Sequence, residues 1–196
     1  MKQEGVDVRL TIRDDGSKDN TILIIKKMMD RYPDKIFLHI GENVGYKRSF
    51  IRLLSLAKGA SSFYAFSDQD DIWKKQKCIH AIRCMNEEYD LYVSSVENCN
   101  EDLEIISKND LTKGKQSLKS DFIRHRFPGC TMIFTEKIRL QAINVSEKVE
   151  IVEHMPSHDF VISSVAYAIG KIYVDEASYI LHRRTRDSLT TSLIFV

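Results

Sequence analysis

Hydrophobic and polar positions switch between two periods along the first half of the chain. "VDVRLTIR" (6–13) alternates with period two and is rich in β-branched residues, which predicts a strand. "DDGSKDN" follows with turn residues and candidate caps. "TILIIKKMMDRY" (21–32) then repeats at helical spacing until Pro33-Asp34 breaks it. The cycle returns as strand "KIFLHI" (35–40), loop "GENVG" and amphipathic helix "YKRSFIRLLSLAKG" (46–59), ended by Gly59. Strand "SFYAFS" (62–67), an acidic loop, helix "KKQKCIHAIRCMNEEY" (74–89) and strand "DLYVSSV" (90–96) complete this half. Beyond residue 97 the alternation weakens. A polar stretch (97–117) reads as a loop or hairpin, followed by a helix (118–126) and a short strand "CTMIF" (130–134). Helices over 136–143 and 159–169 precede strands "KIYVD" and "SYILHR".

Strands alternating with helices imply βαβ units, hence an open, mainly parallel α/β sheet with helices on both faces. The 196 residues make about one domain, with no internal repeat or interdomain linker. Hydrophobic residues at 43% and charged residues at 29% are ordinary for a globular chain. The net charge of +1 gives no global field for nucleic acid, so anion binding must come from local sites. Cys78, Cys84, Cys99 and Cys130 form no C-x-x-C pair and no zinc spacing, which predicts reduced thiols in a cytoplasmic protein. No apolar run reaches the roughly 18 residues of a membrane span. Peripheral contact at the inner membrane face would fall to the basic segments 113–126 and 182–186, which otherwise read as solvated surface.

Ligands of open α/β sheets bind beyond the carboxyl ends of the strands. Three polar loops fall there: "RDDGSKDN", "GENVGYKRS" and "SDQDD". Asp14 ends a strand, where a carboxylate can accept hydrogen bonds from a nucleobase or ribose, with Asp15 beside it. Ser17, Asp19 and Asn20 read as turn and cap residues. In the second loop, Asn43, Gly45 and Arg48 are candidate donor contacts. In the third, Asp68, Asp70 and Asp71 offer hard oxygen ligands for Mg²⁺ or Mn²⁺, ions that bridge to diphosphates. The alternative for this cluster is a solvated turn favouring the dipole of the following helix. Asp159, opening the apolar helix "FVISSVAYAIG", reads on its own as an N-cap.

"VRLTIRDDGSKDNT", "NVGYKRSFIRLLSLA", "YAFSDQDDIWKKQK", "PGCTMIF" and "HDFVISSVAYAIGKIYVDEASYILHRR" together resemble, in order, the inverting family-2 glycosyltransferases of GT-A fold. The "SDQDDIW…GCTM" flavour is most similar to rhamnosyltransferase-type members that build bacterial surface polysaccharides. The resemblance implies a Rossmann-like domain with a nucleotide-sugar half (1–97) and an acceptor and catalytic-base half (98–196). It implies a nucleotide-diphosphate-sugar donor, a saccharide or lipid-linked saccharide acceptor, and an oligomer as one form of assembly. Asp14 and Asp15 would contact base or ribose, and Asp68 and Asp70 would be the DxD pair. Asp70 would be the direct metal ligand, Asp71 its support, and Asp159 the catalytic base. Gly129 and Cys130 would line the acceptor side, and His158 would be structural.

Two departures from the family pattern stand out. Relatives open with a further strand and helix carrying a "PTYN"-like loop, so an N-terminally truncated domain with an exposed strand edge is expected. Relatives also end in "LYRQHGNN", whose His joins the metal. Thr185 aligns there, His182 lies three positions earlier, and Arg183, Arg184 and Arg186 are alternative diphosphate contacts. A non-catalytic remnant that needs a partner chain is the competing expectation. A nucleotidyltransferase is the third, weakened because only "GENVGYKR" suggests a phosphate loop.

Overall fold

A computed structural model of the chain describes residues 3–57, 61–111, 127–148 and 154–184. Its first unit is β1 (Leu10–Asp14), α1 (Thr21–Arg31) and β2 (Ile36–Ile40), with β1 and β2 parallel from Leu10↔Ile36 to Asp14↔Ile40. Then come α2 (Tyr46–Leu56), β3 (Phe63–Ala65), β4 (Ile72–Trp73), α3 (Lys77–Met85) and the long β5 (Leu91–Cys99). β6 (Ile105–Asn109) folds back on β5 as a hairpin, one of the two forms expected of the polar stretch. A 3₁₀ turn (Gly129–Thr131), β7 (Ile133–Thr135), α4 (Glu136–Ser146), α5 (His158–Ile169) and β8 (Ile172–Arg183) complete the order. The helix predicted over 118–126, the basic segment 113–126, Thr185 and Arg186 lie outside the described residues.

Three expectations need correction. The larger sheet, ordered β3-β7-β5-β8-β4 with β6 beside β5, is mixed rather than mainly parallel. Only β5–β8 is parallel in it, while β3–β7, β5–β7 and β4–β8 are antiparallel. Parallel neighbours need a crossover connection, usually a helix. β7 instead returns from the long excursion after β6, so it can enter between β3 and β5 in the opposite sense. "KIYVD" and "SYILHR" form one strand, because register shifts opposite Ser94 and Ser95 absorb Glu176 and Ala177 as a bulge. "CTMIF" is a strand only from Ile133, its start being wound into the 3₁₀ turn.

β5 is the centre of the fold, and its alternation feeds two cores. Leu91 and Val93 face a cluster with Met132, Phe134, Ile138, Val161 and Ile162, whereas Tyr92 packs with Ala81, Met85 and Ile133 beneath α3. Burial on both faces is why "LYVSSV" reads as a nearly continuous apolar run.

Among the described residues the two sheets do not join: β1 pairs only with β2, and β3 only with β7. Between them lies a cavity of about 1270 Å³ lined by Val8, Leu10, Phe37, Leu53, Tyr64 and Phe134, extending to Ser67 and Asp71. Side-chain bonds hold the two parts together around it. Lys47 Nζ donates to the Met155 carbonyl at 2.7 Å, and Arg139 donates to the Leu54 carbonyl. No helix among the described residues is long and apolar enough to cross a membrane.

Candidate active site

The β1 loop turns on Asp14, which is buried. Its Oδ1 accepts the Gly16 and Ser17 amides at 2.9 Å each, and its Oδ2 accepts the Ser17 hydroxyl at 2.6 Å. These bonds, the Ser17 hydroxyl foremost, hold its carboxyl below the usual range, so Asp14 is ionised and organises its own turn. Gly16, at φ +90°, supplies the left-handed residue that this turn needs. Asp19 caps the next helix through the Thr21 amide at 2.9 Å.

Asp15 reaches instead to the second loop. It forms an ion pair with Arg13 and accepts the Ser49 hydroxyl at 3.0 Å, while Arg13 donates to the Glu42 carbonyl at 2.9 Å. Asn43 and Arg48 are exposed, and the Asn43 side chain accepts the Gly45 amide at 2.9 Å. Loops one and two thus form one tied rim at the carboxyl ends of β1 and β2.

Asp159 lies near enough to the acidic loop for its charge to be felt at Asp68. β4 pairs with β8 antiparallel, Ile72 opposite Leu181, which sets Asp71 against His182. His182 Nδ1 lies 2.8 Å from Asp71 Oδ1, and the Asp71 side chain is fully buried. Asp71 Oδ2 has no hydrogen-bond partner among the described residues and is an orphaned buried oxygen. Asp68 and Asp70 are half-buried in the preceding turn. Burial first, then the charges of Asp71 and Asp70, push the Asp68 carboxyl up to about 6; His182 opposes this and Asp159 adds to it. The donor set of carboxylates with one imidazole fits a hard divalent ion such as Mg²⁺ or Mn²⁺.

Asp159 sits in the first turn of α5, fixed from both sides. Its Oδ2 accepts the Gly129 amide at 3.1 Å, and its Oδ1 accepts the Phe160 amide at 2.9 Å and the Ser157 hydroxyl. Gly129 is required by close approach: a Cβ there would lie 2.8 Å from His158 Nε2 and 3.2 Å from Asp159 Cβ. Gly129→Ala should therefore cost about 2 kcal/mol of stability, as overpacking does. Thermal melting beside a transfer assay should show both stability and turnover falling, because the added methyl pushes on Asp159 itself.

His158 stacks on Phe50 at 4.1 Å and meets Phe66 edge-on at 4.8 Å. Burial pushes its pKa down to about 4, so it is a neutral core ring.

Three further side chains surround the cluster. Cys130, expected on the acceptor side, has its Sγ within 4.8 Å of ligand atoms of both Asp71 and His182, and Lys77 is the one that sequence reasoning missed. Lys77 is completely buried, donating to the Cys130 carbonyl at 2.7 Å with its ammonium 3.4 Å from the centre of the Trp73 ring. Desolvation pushes its pKa down to about 8, against the pull of Asp71 and Asp68.

Comparison with known proteins gives a consistent picture. The family model described as glycosyl transferase family 2 matches residues 1–140. The chain is 28% identical to the dTDP-rhamnosyl transferase RfbG of Shigella flexneri, covering 94% of this chain and 65% of that protein. It is 31% identical over 112 residues to an uncharacterized glycosyltransferase of Nostoc sp., covering 57% of this chain and 32% of that one. Among solved structures, S. aureus TarS 1–349 in complex with UDP-GlcNAc superposes with TM-score 0.66 at 19% identity, over 100% of this chain and 55% of that one. The same protein with UDP gives 0.63 at 19%, over 94% and 54%. The chain thus spans less than two-thirds of the length of each of these relatives.

Proposed function

Because this chain belongs to glycosyl transferase family 2 and has a GT-A fold with a mixed sheet, we propose that it transfers a sugar from a nucleotide-diphosphate donor to a saccharide acceptor with inversion. The likeness to a dTDP-rhamnosyl transferase favours rhamnose as the sugar and a bacterial surface polysaccharide, free or lipid-linked, as the product. Solved relatives in complex with UDP-GlcNAc and UDP support a nucleotide-sugar donor. The observation that carries the proposal is the Asp71–His182 pair at 2.8 Å beside Asp68, where the charges of Asp71, Asp70 and Asp159 are all felt.

In this reading the rim of loops one and two receives the nucleoside, with Asp15, Asn43, Gly45 and Arg48 around it and Asp14 shaping the turn. Asp68 and Asp70 would hold a divalent ion, with Asp71 and His182 beside it. When bound, that ion neutralises charge on the leaving diphosphate. Asp159 takes the proton from the acceptor hydroxyl as that oxygen forms its bond to the anomeric carbon and the diphosphate departs. Gly129 and Ser157 keep the carboxylate aimed.

Calorimetry with a nucleoside diphosphate tests the donor half. Binding should strengthen on adding Mg²⁺ or Mn²⁺, and Asp70→Ala should remove that gain. Equal affinity with and without metal would end the metal assignment.

A second reading has one observation in its favour. Among the described residues β1 and β3 each leave an edge unpaired, facing the other across the cavity, which suits a chain that binds nucleotide but completes its sheet with a strand from a partner. Metal-dependent binding without any transfer would move the conclusion there.

A further inference from the structure

On the α3 side of the larger sheet, away from the acidic cluster, three side chains of different chemistry converge. His80 and Cys84 lie one helical turn apart on α3, and Asp175 rises from β8 beneath them. His80 Nε2 is 2.7 Å from Asp175 Oδ2 and 3.4 Å from Cys84 Sγ, and all three atoms lie within 4.8 Å of one another. Asp175 and His182 are seven residues apart along β8, roughly 20 Å at strand rise, so this cluster is separate from the candidate active site.

One nitrogen faces two partners here. Nε2 carries at most one proton, which can serve the Asp175 carboxylate or the Cys84 sulfur but not both. A cation in that proton's place would satisfy all three atoms, with imidazole neutral and thiolate and carboxylate balancing a double positive charge. The surroundings fix the ligands as a second shell does. The Tyr179 hydroxyl lies 3.1 Å from His80 Nδ1, and its ring stacks on the imidazole at 4.3 Å. The Ala177 amide holds Asp175 Oδ1 at 2.9 Å, and the Tyr92 hydroxyl donates to Oδ2 at 2.8 Å.

We propose that His80, Cys84 and Asp175 form a second cation site, selective for Zn²⁺ or a similar borderline divalent ion over Mg²⁺. Mixed nitrogen, sulfur and oxygen donors suit zinc, which binds them at about 2.0–2.3 Å in a tetrahedron. The observed separations need only slight widening to reach that arrangement, and water takes the fourth position. Cysteine spacing carried no sign of the site because it uses a single cysteine, paired with a histidine four positions earlier and an aspartate from a distant strand.

The test is a cobalt titration of the chelator-treated full chain. The expected result is a thiolate-to-cobalt charge-transfer band in the near ultraviolet, abolished by added Zn²⁺ and undiminished by excess Mg²⁺. The band should vanish in Cys84→Ser and His80→Ala. It should persist in Cys130→Ser and Asp70→Ala, which alter only the other cluster. Circular dichroism checks that Cys84→Ser, a near-isosteric change, keeps the fold. No thiolate band in the parent chain, or a band that survives Cys84→Ser, overturns the proposal.

Discussion

Asp159→Asn should reduce sugar transfer by about 10²- to 10⁴-fold while leaving nucleotide binding nearly unchanged. The substitution keeps the side chain's shape and one acceptor. The amide oxygen can still take the Gly129 N–H, now 3.1 Å from Oδ2, while the amide nitrogen turns toward Ser157, whose hydroxyl can accept, and gives up the Phe160 amide. What disappears is the ability to accept a proton from the acceptor hydroxyl. The loss should therefore fall on kcat, and calorimetric affinity for the nucleoside diphosphate should hold. Asp159→Ala is the harsher comparison, since it also strips the 3₁₀ turn of its anchor and should lower the melting temperature. If Asp159→Asn loses nucleotide binding along with transfer, the residue is a structural cap, as its position at the start of α5 would suggest on its own.

Asp68→Asn should do two opposite things: abolish metal-supported activity and make the metal-free protein more stable at neutral pH. The Asp68 carboxyl stands at about 6 in the fold against 3.8 in an unperturbed chain, chiefly through burial and then through Asp71 and Asp70. Its protonated form is the one that the fold prefers. The stability it lends is therefore fully present below pH 3.8 and is lost as pH rises through about 6. At pH 7.5 the ionised carboxylate is a net cost, and removing it should gain about 2 kcal/mol. Denaturant melts from pH 4 to pH 8 should show wild type falling behind Asp68→Asn as pH rises, with the two alike near pH 4. Mg²⁺ or Mn²⁺ at pH 7.5 should raise the wild-type midpoint and leave that of the variant in place. Parallel pH profiles for the two proteins would mean that the carboxylate is not crowded in the way its surroundings indicate.

Much of this architecture was legible because it is local. The βα cycles through α3 show in their periods, and "SDQDD" stands out by charge as a candidate ligand loop. What escaped is carried by long-range pairing. β7's antiparallel place between β3 and β5 depends on where the excursion after β6 returns, and no period records that. β8 looked like two strands because Glu176-Ala177 interrupts its alternation, although a bulge accommodates them opposite Ser94 and Ser95. Asp71 meets His182 across 111 positions of sequence through the register of a two-residue strand, β4. Nothing in "KKQK" sets Lys77 apart from its neighbours, yet its stem and ammonium lie wholly inside, over Trp73. Buried polar groups of this kind are identified by their partners, which the neighbouring sequence does not contain.

The break between β1 and β3 has a consequence for cooperativity. Hydrogen-bonded ladders transmit stability from strand to strand, and among the described residues none runs from the β1–β2 pair into the larger sheet. The β1–α1–β2 unit can then open at lower free energy than the core around β5, as a foldon of its own. A nucleotide gripped by the rim at Asp14–Gly45 on one side and the Asp68–Asp71 turn on the other would act as a crosslink between the two. Part of its binding energy would be spent on fusing two folding units into one.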